Sequence, residues 1–225
     1  MWCIAELDDA YIANMEQVLA VYEKPYAESE PVVCLDEKPV SLHSEVRTPI
    51  PARPGRIAKR DNEYRRAGVA NLYAVVEPKA GRHFNRATPN RSARQFVLTV
   101  RDLVLQYPFA KTIHLVMDNL NIHCRKSLIE HLGEKEGTYL WSRLTVHYTP
   151  KHGSWLNQAE IELSLISRQC LGNRRVPSLE QLQDVIDCWT NDANRRRVQI
   201  NWNFSRRKAR AKFGYVRNTS KRPQT

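Results

Sequence analysis

Apolar positions along the chain follow two rhythms. Between Asp8 and Pro25, residues Ile12, Met15, Val18, Leu19 and Tyr22 recur every three or four positions. That spacing predicts an amphipathic helix, capped by Asp8 or Asp9 and stopped before Pro25. Residues 31–40, PVVCLDEKPV, are apolar on both faces and predict a central strand covered on both sides. Residues 41–67 read as a loop, broken by Pro49, Pro51, Pro54 and Gly55. Val69–Val76 and His83–Ala87 predict a hairpin around Pro78–Gly81, giving an antiparallel meander with the first strand. Thr88-Pro89 reads as a helix start, and the stripe Phe96, Val97, Val100, Leu103, Val104 carries that helix to Tyr107-Pro108. An all-apolar strand follows at Ile113–Met117, then a helix over Arg125–Glu136 and an alternating strand at Leu144–Tyr148. A further helix contains Glu160 about one turn in and ends at Gly172. The last starts at a capping box of Ser178 and Gln181, with Leu179, Leu182, Val185, Ile186 and Trp189 inward.

This order is an α/β pattern, with the later strands parallel because helices separate them. The 225 residues, 42% hydrophobic, suffice for one buried domain over 31–194, preceded by the helix or linker of 1–30 and followed by a tail over 195–225. No apolar run approaches a membrane span, and the start, MWCIAELDDAYI, lacks the pattern of a signal peptide. Cys3, Cys34, Cys124, Cys170 and Cys188 form no CxxC pair, which argues against a zinc ribbon or disulfide framework and for a reducing cytoplasm. Cys34 and Cys188 lie in apolar patterns and read as core.

Charge changes the picture because of its placement. Of the net +11, the whole excess falls in 195–225, which holds 11 Lys/Arg and no Asp/Glu. Trp202, Phe204, Phe213 and Tyr215 interleave with those cations, and a phosphate-binding tail is favoured over a merely solvated one. Its candidate DNA contacts are Arg206, Arg207, Lys208, Arg210 and Lys212. The 41–67 loop carries Arg47, Arg53, Arg56, Lys59, Arg60, Arg65 and Arg66, and reads equally as a solvated loop or as an element gripping a nucleic-acid backbone.

Two of the apolar strands end in an acid, Asp36 and Asp118, and Glu160 follows the motif TPKHGSWLNQAEIEL. Each acid alone is more often structural than a ligand. Three carboxylates brought to one sheet edge are what a pair of magnesium ions requires, since Mg²⁺ prefers oxygen ligands. Glu37, adjacent to Asp36, points to the opposite face, either supporting a ligand or simply on the surface. Asn119, His123, Lys151, His152, Ser154 and Asn157 are candidates to contact phosphate or to support the ligands. Trp155 reads as a core anchor rather than a base-stacking surface. A zinc site of His114, His123 and His147 is the weaker alternative, because its spacing fits no familiar zinc motif. No P-loop, GxSxG or GxGxxG pattern supports an NTPase, serine hydrolase or dinucleotide enzyme.

VVCLDEKPV, LVMDNLNIH and HYTPKHGSWLNQAEIELS, taken in order, resemble the catalytic core of the IS630 family transposases, relatives of the Tc1/mariner group. The tail segment Ile200-Asn-Trp-Asn-Phe-Ser resembles the end of those proteins, so the resemblance covers about residues 31–213. It implies an RNase H-like fold, a five-stranded mixed sheet of order 3-2-1-4-5 flanked by helices. It also implies a catalytic triad of Asp36, Asp118 and Glu160, rather than Glu162, binding two Mg²⁺ or Mn²⁺ ions. The implied activity is cleavage of DNA at transposon ends and joining of the freed 3′ hydroxyl to target DNA, by a homodimer on DNA at a bacterial nucleoid. Family members usually carry an N-terminal helix-turn-helix, whereas this sequence opens on an acidic helix. The resemblance then implies a catalytic part: one product of a split reading frame, a truncated remnant, or a domain whose DNA-reading partner is another chain. A DNA-binding remnant without catalysis, or another RNase H-like nuclease, are the alternatives.

Overall fold

The computed structural model describes residues 7–215. Helix α1 (Asp9–Glu23) starts where the Asp8 carboxylate accepts the Tyr11 N–H at 2.6 Å. Strand β1 (Val32–Glu45) is the spine of the sheet. It pairs antiparallel with β2 (Tyr64–Glu77) and parallel with β5 (Ile113–Met117), which pairs parallel with β6 (Leu144–Tyr148). The expected third strand is split into β3 (Arg82–His83) and β4 (Arg86–Thr88), both antiparallel to β2. The sheet order is therefore β3-β2-β1-β5-β6, with β4 also on β2. This is the 3-2-1-4-5 arrangement of an RNase H-like sheet.

Side-chain alternation builds three layers. Val33 and Leu35 of β1 face one core with Tyr73, Ile113 and Leu115, covered by α2 (Ala93–Leu105), α3 (Arg125–Leu132) and α4 (Glu134–Ser142). Cys34, between them, faces the other side with Val76 and Val116. There α1 and α7 (Arg206–Phe213) cover one part of the sheet. The rest is covered by α5 (Ala159–Leu165), its continuation as a π-helix over Ile166–Leu171, and α6 (Leu179–Arg196).

Several boundaries differ from the sequence reading, each for a non-local reason. Strand β1 runs to Glu45 and β2 starts at Tyr64, so residues 41–45 and 64–67 form an antiparallel arm rather than a loop. Even its tip is paired, through bridges Ile50–Lys59 and Arg53–Arg56. Thr88 caps no helix: its hydroxyl donates to the carbonyls of Asn71 and Asn90, and α2 begins after Ser92. The helix expected over 125–136 breaks at Gly133, whose φ of 85° a side chain would resist. Gly172 ends the π-helix as expected, and Ser178 Oγ accepts the Gln181 N–H at 3.2 Å. Cys34 is buried as predicted, whereas Cys188 is exposed; Cys3 and residues 216–225 of the tail lie outside the described residues. Among the described residues, no helix is long and apolar enough to cross a membrane.

The tail departs most from expectation. Trp202, Phe204, Phe213 and Tyr215 pack into the cluster under α1 instead of interleaving with free cations. Arg206 pairs with Glu23 at 2.7 Å and Arg210 with Glu16 at 2.6 Å, so two tail arginines neutralise the acidic face of α1. Lys212 lies over the rings of Phe204 and Phe213. Arg207 and Lys208 are exposed. Trp155, read as a core anchor, is instead exposed, although its indole N–H donates to the Tyr11 hydroxyl at 3.2 Å and its ring packs on Phe204.

Candidate active site

The parallel pairing of β1 and β5 sets the first two acids. Val32 lies opposite His114, Val33 opposite Leu115 and Cys34 opposite Val116. Continuing this register by two residues brings Asp118 level with Asp36. Because alternate side chains share a face, both follow Cys34 and Val116 on the α1/α5 side. Strand β1 continues past this point as the arm, whereas β5 stops at Met117, so the sheet opens beside Asp118.

The third acid is brought in by Asn157. Its side-chain amide donates to the Leu35 carbonyl at 2.8 Å, immediately before Asp36, and its Oδ1 accepts the Ala159 N–H at 3.2 Å. One buried side chain thus ties the start of α5 to the strand bearing Asp36. Asn157 is 1% exposed and spends its polar atoms on backbone, so it is a positioning residue and does not reach phosphate. Glu160 is exposed in the first turn of α5, not one turn further in as the sequence reading had it. Glu162, two residues on, is fully buried and held by His83 Nδ1 and Asn85 Nδ2, each at 2.8 Å.

Burial pushes the Asp36 carboxyl up to about 7, and the negative charges of Glu160, Glu37 and Asp118 add to the rise against a lowering hydrogen bond from the Glu37 N–H. The four carboxylates therefore share one electrostatic neighbourhood. Glu37 turns to the opposite face as expected, but it is buried rather than on the surface. Its Oε2 lies 3.5 Å from His123 Nε2 and its Oε1 3.8 Å from Arg91. Burial raises the Glu37 carboxyl, with His123 and Arg91 opposing the rise. His123 donates Nδ1–H to the Asp118 backbone carbonyl at 3.3 Å, stacks on Phe96 and stands 2.7 Å from Asp118 Oδ1. Arg91 and Tyr73, neither evident from the sequence, complete this side: Tyr73 is paired with Glu37 across β1 and β2, and its hydroxyl is raised by burial and by Glu37. Only the strand register could have located Tyr73, and Arg91 sits in an irregular turn with no periodic signal.

Asp118, Asn119, Lys151, His152 and Ser154 line one cleft of about 870 Å³, closed on its far side by Asp8, Tyr11 and Asn14 of the α1 segment. Lys151, His152 and Ser154 are exposed and present donors there. Among the described residues, no three His, Cys, Asp or Glu side chains are drawn tightly enough to enclose a metal ion. The donor set nevertheless suits a hard cation: Asp36, Asp118 and Glu160 offer only oxygen. The imidazoles of the alternative zinc site do not converge. His114 Nδ1 contacts His147 Nε2 at 3.0 Å beside Lys24, whereas His123 lies against Glu37 and Phe96.

A family model described as DDE superfamily endonuclease matches residues 31–183. The chain belongs to this family. The matched stretch contains Asp36, Asp118, Asn157 and Glu160. No curated protein sequence matches the chain. Among solved structures, it is similar to the Mos1 mariner paired-end complex with Mn, with a TM-score of 0.54 and 16% identity over 88% of this chain. It is also similar to the Mos1 strand transfer complex (TM-score 0.56, 15% identity, 88% of this chain) and to a pre-cleavage Mos1 transpososome (0.51, 15%, 90%). The DDE endonuclease chain spans 61% and 60% of the Mos1 chains in the first two. At these identities the likeness is one of fold.

Proposed function

We propose that this chain is the catalytic part of a DNA transposase of the IS630 type, which cleaves DNA at transposon ends and joins the freed 3′ hydroxyl to target DNA. The observation that carries the reading is the convergence of acids from three distant segments. Strand register levels Asp36 with Asp118, and Asn157 fastens the helix of Glu160 to the carbonyl beside Asp36. Asp36, Asp118 and Glu160 would together hold two Mg²⁺ or Mn²⁺ ions. Bound there, the ions supply a nucleophile activated at neutral pH and stabilise charge on the leaving 3′ oxygen. In cleavage, water attacks phosphorus, the P–O3′ bond breaks and the 3′ oxygen departs to take up a proton. In joining, that 3′ hydroxyl gives up its proton and attacks a target phosphodiester; the new O3′–P bond forms as the target P–O3′ bond breaks, and the target 3′ oxygen leaves and takes up a proton.

The protein's own groups position the reactants. His123 and Glu37 brace Asp118 from the face opposite the cleft. Lys151, His152 and Ser154 offer donors to a phosphate in the cleft. The exposed cations Arg53, Arg56, Lys59, Arg65 and Arg66 of the arm, with Arg207 and Lys208 of the tail, bind the duplex backbone in this reading. Arg47, Arg60, Arg206 and Arg210 already face carboxylates and contribute less. In this reading the transposon ends are recognised by a helix-turn-helix unit outside the described residues, and two copies act together on DNA at the nucleoid.

A joining assay tests this. A labelled duplex with a free 3′ hydroxyl is incubated with supercoiled plasmid, the chain and Mn²⁺. The expected result is covalent transfer of label to plasmid. Nicking without transfer would indicate another RNase H-like nuclease, and salt-sensitive binding alone would indicate a remnant; either result contradicts a transposase.

A further inference from the structure

The arm leaves the sheet at a break in register. Leu42 pairs with Gly68 but His43 with Arg66, so Ala67 is an extra residue in β2 at a β-bulge. A bulge bends the strand pair and frees its direction from the sheet below. Beyond it, the sheet ladder alone no longer determines where the arm points.

Arg175 supplies the missing constraint. It follows the Gly172 turn at the end of the π-helix, and its side chain is 12% exposed. The guanidinium donates to the Glu45 carboxylate at the end of β1 and to three successive carbonyls: Asp61 at 2.8 Å, Asn62 at 3.0 Å and Glu63 at 2.7 Å. It also lies over the Tyr64 ring, 5.3 Å from the centroid. The other oxygen of Glu45 receives Arg60 Nε at 2.9 Å, and Arg60 returns to the Asn173 carbonyl at 2.6 Å. His43 N–H donates to the Val176 carbonyl at 2.9 Å, just past the bulge. Both strands of the arm are thus fastened to residues 173–176. Those residues follow the same helix that carries Glu160 in its first turn. A planar fork with five donors can hold a carboxylate, three carbonyls and an aromatic face together, whereas an ammonium cannot match that geometry.

We propose that Arg175 is a positioning residue that sets the direction of the arm, so that Arg53, Arg56, Lys59, Arg65 and Arg66 grip the same duplex that reaches the Glu160 edge. This rests on the DNA-acting reading above. The test compares the full chain with Arg175→Ala and Arg175→Lys by two readouts. The first is amide hydrogen exchange at Ile50, Arg53, Arg56 and Lys59, whose N–H groups bond across the arm. The second is affinity for a random-sequence duplex across a salt series. Both variants are expected to exchange at least about tenfold faster at these amides. Both are also expected to lose about tenfold in affinity and to show a shallower salt slope, since each lost phosphate contact removes roughly 0.9 from it. The thermal midpoint should be nearly unchanged. Unchanged exchange, full rescue by lysine, or faster exchange with an unaltered salt slope would each overturn the proposal. If the parent chain binds no duplex, the DNA-acting reading fails on that arm, while the exchange result still decides whether Arg175 fixes the arm.

Discussion

Asp36→Asn is expected to abolish plasmid nicking and joining in Mn²⁺, by at least about a thousandfold, which corresponds to roughly 4 kcal/mol of transition-state stabilisation. The same variant is expected to be more stable than the parent in metal-free buffer at pH 8. The sign follows from the carboxyl being raised from 3.8 to about 7 in the folded protein. Between these values the native state keeps a proton that the unfolded state has lost, so parent stability falls as pH rises. The contribution is fully present below about pH 4 and lost above about pH 7. Asparagine carries no charge to bury, so its advantage appears above pH 7 and disappears toward pH 4. Each kcal/mol recovered raises the melting temperature by roughly 2–4 °C for a chain of this size. Melting curves from pH 4 to 8, with nicking measured alongside, check both halves. A variant that nicks like the parent would remove Asp36 from the site.

Glu160 and Glu162 are expected to give opposite signatures although they are two residues apart. Glu160→Gln should leave the melting temperature unchanged and eliminate joining, because the side chain is exposed at the sheet edge. Glu162→Ala should destabilise the fold by about 3–5 kcal/mol, the usual consequence of removing one partner of a buried pair. Both nitrogens of His83 face oxygens, Glu162 Oε1 at 2.8 Å and the Val198 carbonyl at 2.9 Å, and both side chains of the pair are 0% exposed. Truncating Glu162 removes the acceptor facing His83 Nδ1 and leaves Asn85 Nδ2 only the Thr190 hydroxyl at 3.1 Å. Thermal denaturation and the joining assay on both variants separate the roles. Loss of activity in a stable Glu162→Gln variant, with an active Glu160→Gln, would reverse the assignment.

The sheet was legible in the sequence wherever local pattern and burial coincide. The run Ile113–Met117, apolar except for His114, and the doubly covered Val32–Leu35 read as interior strands, and the acid ending each was visible with them. The Ser178 cap was legible because its hydrogen bond spans three residues. What was hidden depends on partners far away in the chain. The arm over 41–45 and 64–67 looked like loop because its strands are exposed and are held largely by each other and by Arg175. The tail looked free because nothing in it indicates that Glu16 and Glu23, some 190 residues earlier, neutralise Arg210 and Arg206. Glu37 stayed undecided between supporting a ligand and lying on the surface because its burial is created by His123, Tyr73 and Arg91 from three other segments. Asn157 was recognised as relevant, but its hydrogen bond to the Leu35 carbonyl, 122 residues away, could not be read locally.

The central claim is that Asp36, Asp118 and Glu160 form one divalent-cation site, and Mn²⁺ titration by calorimetry, parent beside Asp36→Asn, tests it most directly. Each protein is titrated alone and with a nicked duplex, whose phosphates complete the open coordination positions. Saturable binding in the parent, strengthened by the duplex and absent from Asp36→Asn under both conditions, is the predicted result. Equal binding in parent and variant, or none in the parent even with the nicked duplex, would contradict it.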